Sequence, residues 1–381
     1  MHRRVIAAAL ASGLTLSAGF TMTTGKAAAA TSSCAADSST SVDVAIVGGG
    51  LSGLVVASGL MGRGKHSWVL LEAHGSRLGG RIRNSDSGEI DLGPAWIWPD
   101  HQPKIRSLIK ELGLQTFMQP DDPGSSRIAG GSAALIHTLE KRLPRGNIKM
   151  GWHAIACAQE DGKVLLTSAR GEFVLASVAV FAAPPKILSK HVSFSPNLSA
   201  PKQRAMEASR TWMAGVTKVA LTYGSRFWPL HGGASNTGLR PASNRPAFQV
   251  YDGSSSGDKE VALTFFTVAH EHLSDEDLAR ACAAQLGEVW SHRGLGDKGK
   301  LLSAYDKVYV MRWPYESTIS DDRAPGTVHP HPEPVGALAQ EDWDGKLLFA
   351  SSESDLSSPG VMEGAVGAAQ RVLSVLSRGS G

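Results

Sequence analysis

Cysteine is scarce. Cys34, Cys157 and Cys282 are the only three in 381 residues, odd in number and far apart. They supply neither a disulfide framework nor a clustered metal site. An excess of one charge is also lacking. Lys and Arg total 38 against 35 acids, a formal net charge of +3, and no basic block accompanies it. Nucleic acid is therefore not an expected partner. With 42 glycines and 19 prolines the chain is neither collagen-like nor a linker. No phosphate-binding Walker loop or CxxC is present. What is present is 42% hydrophobic and 19% charged residues, enough for a sizeable core, on a length that suits two domains.

Residues 1–30 have the order of a cleavable secretory signal. Arg3 and Arg4 come first, then an apolar run over residues 5–20, and Ala27 to Ala30 offer small-residue cleavage sites. The run is short for a membrane span. The expectation is a signal peptide over 1–30, a Ser/Ala/Thr-rich linker over 31–40 and a secreted or periplasmic mature chain.

The mature chain opens on a short apolar strand, Val42-Asp43-Val44-Ala45-Ile46-Val47, followed at once by Gly48-Gly49-Gly50-Leu51-Ser52-Gly53 and a small-residue helix. In a dinucleotide site Gly48 allows the tight turn, Gly50 lets a pyrophosphate approach the backbone, and Gly53 lets helix pack on strand. Leu51 and Ser52 lie at the helix start, where free N–H groups and a partial positive charge favour phosphate. A second strand, Trp68-Val69-Leu70-Leu71, ends at Glu72, about 20 residues on, where an acid can accept ribose hydroxyls. Its charge disfavours a 2′-phosphate, which leaves FAD or NAD. Directly after comes a second glycine-rich basic loop, Gly75-Ser76-Arg77-Leu78-Gly79-Gly80-Arg81. Arg81 is a candidate bidentate phosphate donor.

These blocks, together with DLGPAWI (91–97), RIAGGSAALI (127–136), VAVFAAPP (178–185), AGVTKVALTYGSRFW (214–228) and LLFASSESDLSSPGVMEGAV (347–366), resemble the flavin-dependent amine oxidase family, the monoamine and polyamine oxidases. The resemblance implies FAD as cofactor, an amine substrate and oxygen as electron acceptor, with hydride transfer to flavin N5. Gly93, Pro94, Ala95 and Trp96 match the family turn beside the isoalloxazine ring. Ala73 follows Glu72 in its block, and Ala154 matches the position whose backbone meets the adenine. Ser352 and Glu353 match the acidic end of a Gly-Thr-Glu. Gly360, Val361 and Met362 match a Gly-Tyr-Met before a helix whose N-terminus faces the flavin. Lys218 matches the catalytic lysine that holds a water near N5, and Trp313 a tryptophan near the flavin.

The chain departs from the pattern at several places. Pro94 and Ser351 replace glycines. Asp322 stands where the covalent-flavin subset has its cysteine, so the FAD is expected to be non-covalent. Val361 replaces one of the two substrate-framing tyrosines, and the other has no counterpart near Arg323. A desaturase, isomerase or dehydrogenase of a secondary metabolite remains an alternative, as does an FAD-binding protein without turnover.

The fold expected is α/β: a discontinuous Rossmann-like FAD-binding domain over 41–97, 127–195 and 335–378, plus a smaller α+β substrate domain over 98–126 and 196–334. Helices are expected near 102–112, 132–142, 274–291 and 363–375. Strands are expected at 154–159, 163–168, 173–182, 216–223, 247–252 and 260–269, with 253–257 and 323–334 as loops. Val216, Lys218, Ala220 and Thr222 should share one strand face. His270-Glu271-His272 and His329-Pro330-His331 read as loop residues without a third ligand, so no metal is expected. Arg106, Arg127 and Arg240 are of a type that can grip a substrate carboxylate, although a surface role is the default for each.

Overall fold

The computed structural model describes residues 40–64, 66–230, 235–268, 270–320 and 330–378. The leader, nearly all of the linker, Cys34, Asp322, Arg323 and His329 lie outside them.

The first strand, Thr40–Val47, is apolar at every position from Val44 because both faces are covered. Val44 and Ile46 point to one core, Ala45 and Val47 to the other. It pairs in parallel with Trp68–Glu72 on one side and with Phe173–Phe181 on the other. Ile148–Met150 extends the parallel row beyond Trp68–Glu72. The strand Phe173–Phe181 is long enough to fork. Its first half pairs antiparallel with Lys163–Ser168, and its second half pairs in parallel with Leu347–Phe349. Ala154–Glu160 and Ser193–Ser195 complete this eight-stranded sheet. The helices Leu51–Arg63, Ala133–Arg142 and Met362–Arg378 cover one face. This is the α/β, Rossmann-like arrangement read from the sequence.

The second sheet is antiparallel, in the order Thr237–Gly238, Ala247–Asp252, Val261–Val268, Val216–Tyr223, Lys307–Arg312. One face packs Val219, Leu221 and Leu263 on the helix Asp275–His292, which Ser274 caps by accepting the Asp277 N–H at 3.1 Å. The other face carries Val216, Lys218 and Ala220, the alternation expected of that strand.

Two segments pack differently from the division expected. The helix Pro103–Glu111, expected with the second domain, buries Ile105, Leu108 and Ile109 in the core of the first sheet. Glu363 accepts the Lys104 and Ile105 N–H groups at 3.1 and 2.8 Å and so closes that helix start. The helix Ala200–Ala208 likewise buries Met206 beside Leu188 and Leu338 on the opposite side of the same sheet. Apolar periodicity specifies that a face is buried, not which sheet buries it.

Candidate active site: a cavity between a glycine loop and a buried lysine

The turn after the first strand is set by steric demands that differ at each glycine. Gly48 has φ +108°, a conformation that disfavours side chains. A Cβ on Gly53 would stand 2.0 Å from the Gly48 carbonyl oxygen, so only glycine lets the helix seat on the turn. At Gly50 a Cβ would meet no protein atom nearer than the Gly79 oxygen at 4.0 Å. Nothing within the fold demands glycine there. The space belongs to a cavity of about 480 Å³ lined by Gly50. Leu51, Ser52 and Gly53 form the first helical turn and have no intrahelical acceptor for their amides. The Ser52 hydroxyl donates to the Ala350 carbonyl, leaving its amide as the group free for a ligand.

Glu72 is buried at the end of its strand. Its two carboxylate oxygens accept the Gly49 and His74 N–H groups, each at 2.7 Å, and it also lines the cavity. A carboxylate has about four lone-pair sites, so acceptor capacity remains for hydroxyls. Trp152 N donates to the Glu72 carbonyl at 2.8 Å, which brings Trp152 and Ala154 to the same cavity wall beside Ala73. Arg81 lines the cavity too, but its fork is directed inward. Its Nη1 and Nη2 reach Glu353 at 2.7 and 3.1 Å, and Nη2 also donates to Ser352 at 3.0 Å. Glu353 is buried behind it and does not line the cavity. Its place is to hold Arg81.

The cavity continues past Gly93, Pro94, Ala95 and Trp96 to the second sheet. A Cβ on Gly93 would stand 2.2 Å from the Arg81 carbonyl oxygen, so this glycine is required by backbone approach. Lys218 lines the far end and is 2% exposed. Its Nζ donates to the Gly93 carbonyl at 2.7 Å, the Asp91 carbonyl at 3.3 Å and the Tyr251 hydroxyl at 3.0 Å. Burial lowers its pKa to about 7; Asp91 pulls it up and Arg127 pushes it down. Trp313, buried, donates its indole N–H to the Leu92 carbonyl at 3.0 Å and lines the same end. Gly360, Val361 and Met362 close it, with Gly360 at φ +82° turning the chain into the last helix. Of the residues expected to be catalytic or to bind the cofactor, Gly53 and Glu353 alone fall outside the lining, and both act immediately behind it.

Arg127 is not a substrate ligand. It is 1% exposed, and its guanidinium lies 3.0 Å from the Asp91 carboxylate and 2.8 Å from the Ser254 carbonyl. Arg106 and Arg240 are exposed and away from the cavity.

Sequence reasoning missed the aromatic wall. Trp96 meets Tyr251 edge-on at 4.5 Å and Phe266 at 5.7 Å, and Phe248 lies 5.8 Å from Phe266. A ladder irregularity between Ala247 and Gln249 explains how Phe248 reaches this side. It shifts the phase so that Ala247 and Val250 both pack toward the helix, and Phe248 and Gln249 both line the cavity. No signal in the linear sequence marks that bulge.

Comparison with known proteins extends this picture. The model of the family described as flavin containing amine oxidoreductase matches residues 119–373, and that of an NAD(P)-binding Rossmann-like domain matches residues 46–112. A probable flavin-containing monoamine oxidase A of Dictyostelium discoideum is 24% identical over 251 residues, 65% of this chain and 52% of that protein. Amine oxidase [flavin-containing] B of Rattus norvegicus is 46% identical over 78 residues, 20% of this chain and 14% of that one. The chain thus spans about half, or less, of the length of these curated relatives. Among solved structures, a putrescine oxidase bound to putrescine superimposes with a TM-score of 0.69 at 19% identity, covering 89% of this chain and 100% of that one. Cyclohexylamine oxidase from Brevibacterium oxydans gives 0.69 at 16% identity, covering 89% and 99%. At these identities the likeness is one of fold.

Proposed function

The chain belongs to the flavin containing amine oxidoreductase family, and from that membership we propose that it oxidises the C–N bond of an apolar amine to an imine, with FAD as cofactor and oxygen as terminal acceptor. The observation that carries the reading is the continuity of one cavity from the Gly50 turn and Glu72 to Lys218 and Trp313.

The residues present fit FAD. The unfilled space at Gly50 and the free first-turn amides suit a pyrophosphate, and the remaining acceptor sites of Glu72 suit a ribose. Bound there, FAD supplies a two-electron oxidant for the C–N bond. Among the described residues the cysteines are Cys157 and Cys282, both buried away from the cavity, so neither is placed to hold the cofactor as a thioether. The start of the helix Met362–Arg378 presents a partial positive charge to the cavity. Lys218 holds a proton on Nζ at the cavity wall, where negative charge develops on oxygen. Trp96, Phe248 and Phe266 exclude water and favour the neutral amine.

The same wall supports a substrate with one nitrogen. Among the described lining residues, the ionisable ones are Glu72, Arg81, His153, His191 and Lys218. None is a carboxylate beside Lys218 that could hold a second ammonium, and Arg81 is paired with Glu353. We further propose that the chain is exported through its Arg3-Arg4 leader; N-terminal sequencing of secreted or periplasmic material should begin between about residues 28 and 33, and an intact Met1 on functional cytosolic protein would overturn export.

Anaerobic bleaching of the flavin against monoamines, diamines, polyamines and amino acids tests the main reading. Apolar monoamines should bleach fastest and release peroxide on admission of air. Faster bleaching by diamines would remove the single-nitrogen reading. No bleaching by any amine would remove the amine oxidase reading.

A further inference from the structure

Lys218 has three partners of two kinds. The Gly93 and Asp91 carbonyls can only accept; the Tyr251 hydroxyl can accept or donate. An ammonium at Nζ has three N–H groups, and three acceptors are present for them. A neutral amine has two N–H groups and one lone pair. The two carbonyls take the N–H groups, and the lone pair then needs a donor. Of the three partners only Tyr251 can provide one.

We propose that Tyr251 is a positioning residue whose hydroxyl serves Lys218 in both its ammonium and its amine form, so that Nζ passes its proton to water entering the cavity, and takes it back from there, without leaving the cavity wall. The proposal rests on the reading that Lys218 works at the FAD face of the cavity.

The surroundings allow this exchange. Tyr251 is fully buried, with its ring set between Trp96 and Phe266 at 4.5 and 5.7 Å, so the hydroxyl has a fixed place. When it accepts from the ammonium, its own proton needs an acceptor. Thr264 stands directly opposite in the ladder and acts on the tyrosine hydroxyl, and its own hydroxyl is buried without a hydrogen-bond partner, which leaves it able to take that proton. Lys218 itself is flanked in the sheet by Phe266 and Met311, which carry no charge. The charged groups acting on it are Asp91 and Arg127, which are paired with each other, and Asp121 acts on Tyr251. A carboxylate in direct contact would hold the ammonium permanently; a hydroxyl does not.

The sign of the titration makes the test specific. Burial lowers the pKa of folded Lys218 to about 7 from 10.5. Between those values the unfolded chain holds the extra proton, so the stability contributed through Lys218 rises with pH across that window. Tyr251→Phe keeps the ring and deletes the hydroxyl. The bond from an ammonium is the stronger of the two lost, so the lower edge of the window should fall by about one pH unit.

Two readouts are needed. Urea unfolding of apoprotein from pH 5 to 10, taken as the difference between each protein and its Lys218→Met counterpart, gives the edge without any catalysis. The pH profile of reoxidation of the reduced holoenzyme gives the same group at work. Tyr251→Phe should move both inflections down together, and Lys218→Met should abolish them. A folded, FAD-loaded Tyr251→Phe with both inflections unmoved overturns the proposal. A moved stability edge in a protein inert to oxygen supports it and overturns the oxidase reading instead. If Tyr251→Phe does not fold, Thr264→Val should shift the stability edge in the same direction by less, and no shift there overturns the proposal.

Discussion

The two ends of the cavity are built from different materials. At the Gly50 end recognition lies in the backbone: a turn at φ +108°, a glycine whose Cβ position meets no protein atom nearer than 4.0 Å, and the open amides of a helix start. At the Lys218 end it lies in side chains from separate strands, which meet only because the second sheet is in register. A backbone site tolerates changes of side chain and fails on steric intrusion. A side-chain site fails when one functional group is lost. The buried lysines sharpen the contrast. Lys202 is 1% exposed, and burial lowers its pKa to about 7 as well. It donates to the Gln340 and Leu338 carbonyls and lies 3.7 Å from the centre of the Phe349 ring, away from the cavity. A depressed lysine pKa alone therefore does not mark a site; the cavity does.

The largest effect is expected at the backbone end. Gly53→Ala places a Cβ 2.0 Å from the Gly48 oxygen and should cost about 3 kcal/mol or more, at the upper end of overpacking effects. Chemical denaturation of apoprotein measures it, and a fold unharmed by this change would break the account of the turn. Gly50→Ala, whose methyl meets nothing nearer than the Gly79 oxygen at 4.0 Å, should spare that stability and weaken FAD binding.

At the other end Lys218→Met should leave FAD content and anaerobic reduction near normal. Reoxidation by oxygen should slow by roughly ten- to a thousandfold, the scale for one preorganised donor. Stopped flow separates the two half-reactions; equal rates in variant and wild type would reduce Lys218 to a structural lysine.

Glu72→Ala should weaken FAD binding by about 1.5–3 kcal/mol, the range for hydrogen bonds to a charged group. Titration of apoprotein with FAD gives the value. Because Glu72 also accepts the Gly49 and His74 amides, part of the loss should appear as lower apoprotein stability.

Lys202→Met is the smallest change and the control. Turnover should be unaltered. The rise of stability with pH above about pH 7, where the folded chain lacks a proton the unfolded chain holds, should lose at most about 1.4 kcal/mol per pH unit. Urea midpoints across pH 6 to 10 test it, and a rate loss like that of Lys218→Met would erase the contrast between the lysines.

Most of the first sheet and its glycine loops could be read directly from the chain, since spacing within a strand–turn–helix unit is local. The second sheet could be read strand by strand, including the shared face of Val216, Lys218 and Ala220. Its assembly could not. Tyr251 and Thr264 are set opposite each other through register, and Phe248 faces the cavity through a bulge. Arg81 and Glu353 were both visible as site residues, but their pairing across 272 positions was not. The helix Pro103–Glu111 was visible by its period, and its seat in the first core was not.

The sequence by itself determined the elements whose meaning is local: the turn that needs Gly48 and Gly53, the acid that ends the second strand, and the alternation that puts Lys218 on one face of its strand. Tertiary structure alone decided that this face is buried, that Arg81 turns inward to Glu353, and that Lys218 meets two carbonyls and one hydroxyl. The reason is physical. Backbone conformation is set by neighbours along the chain, whereas the dielectric and the hydrogen-bond partners of a buried group are set by whatever other segments pack against it.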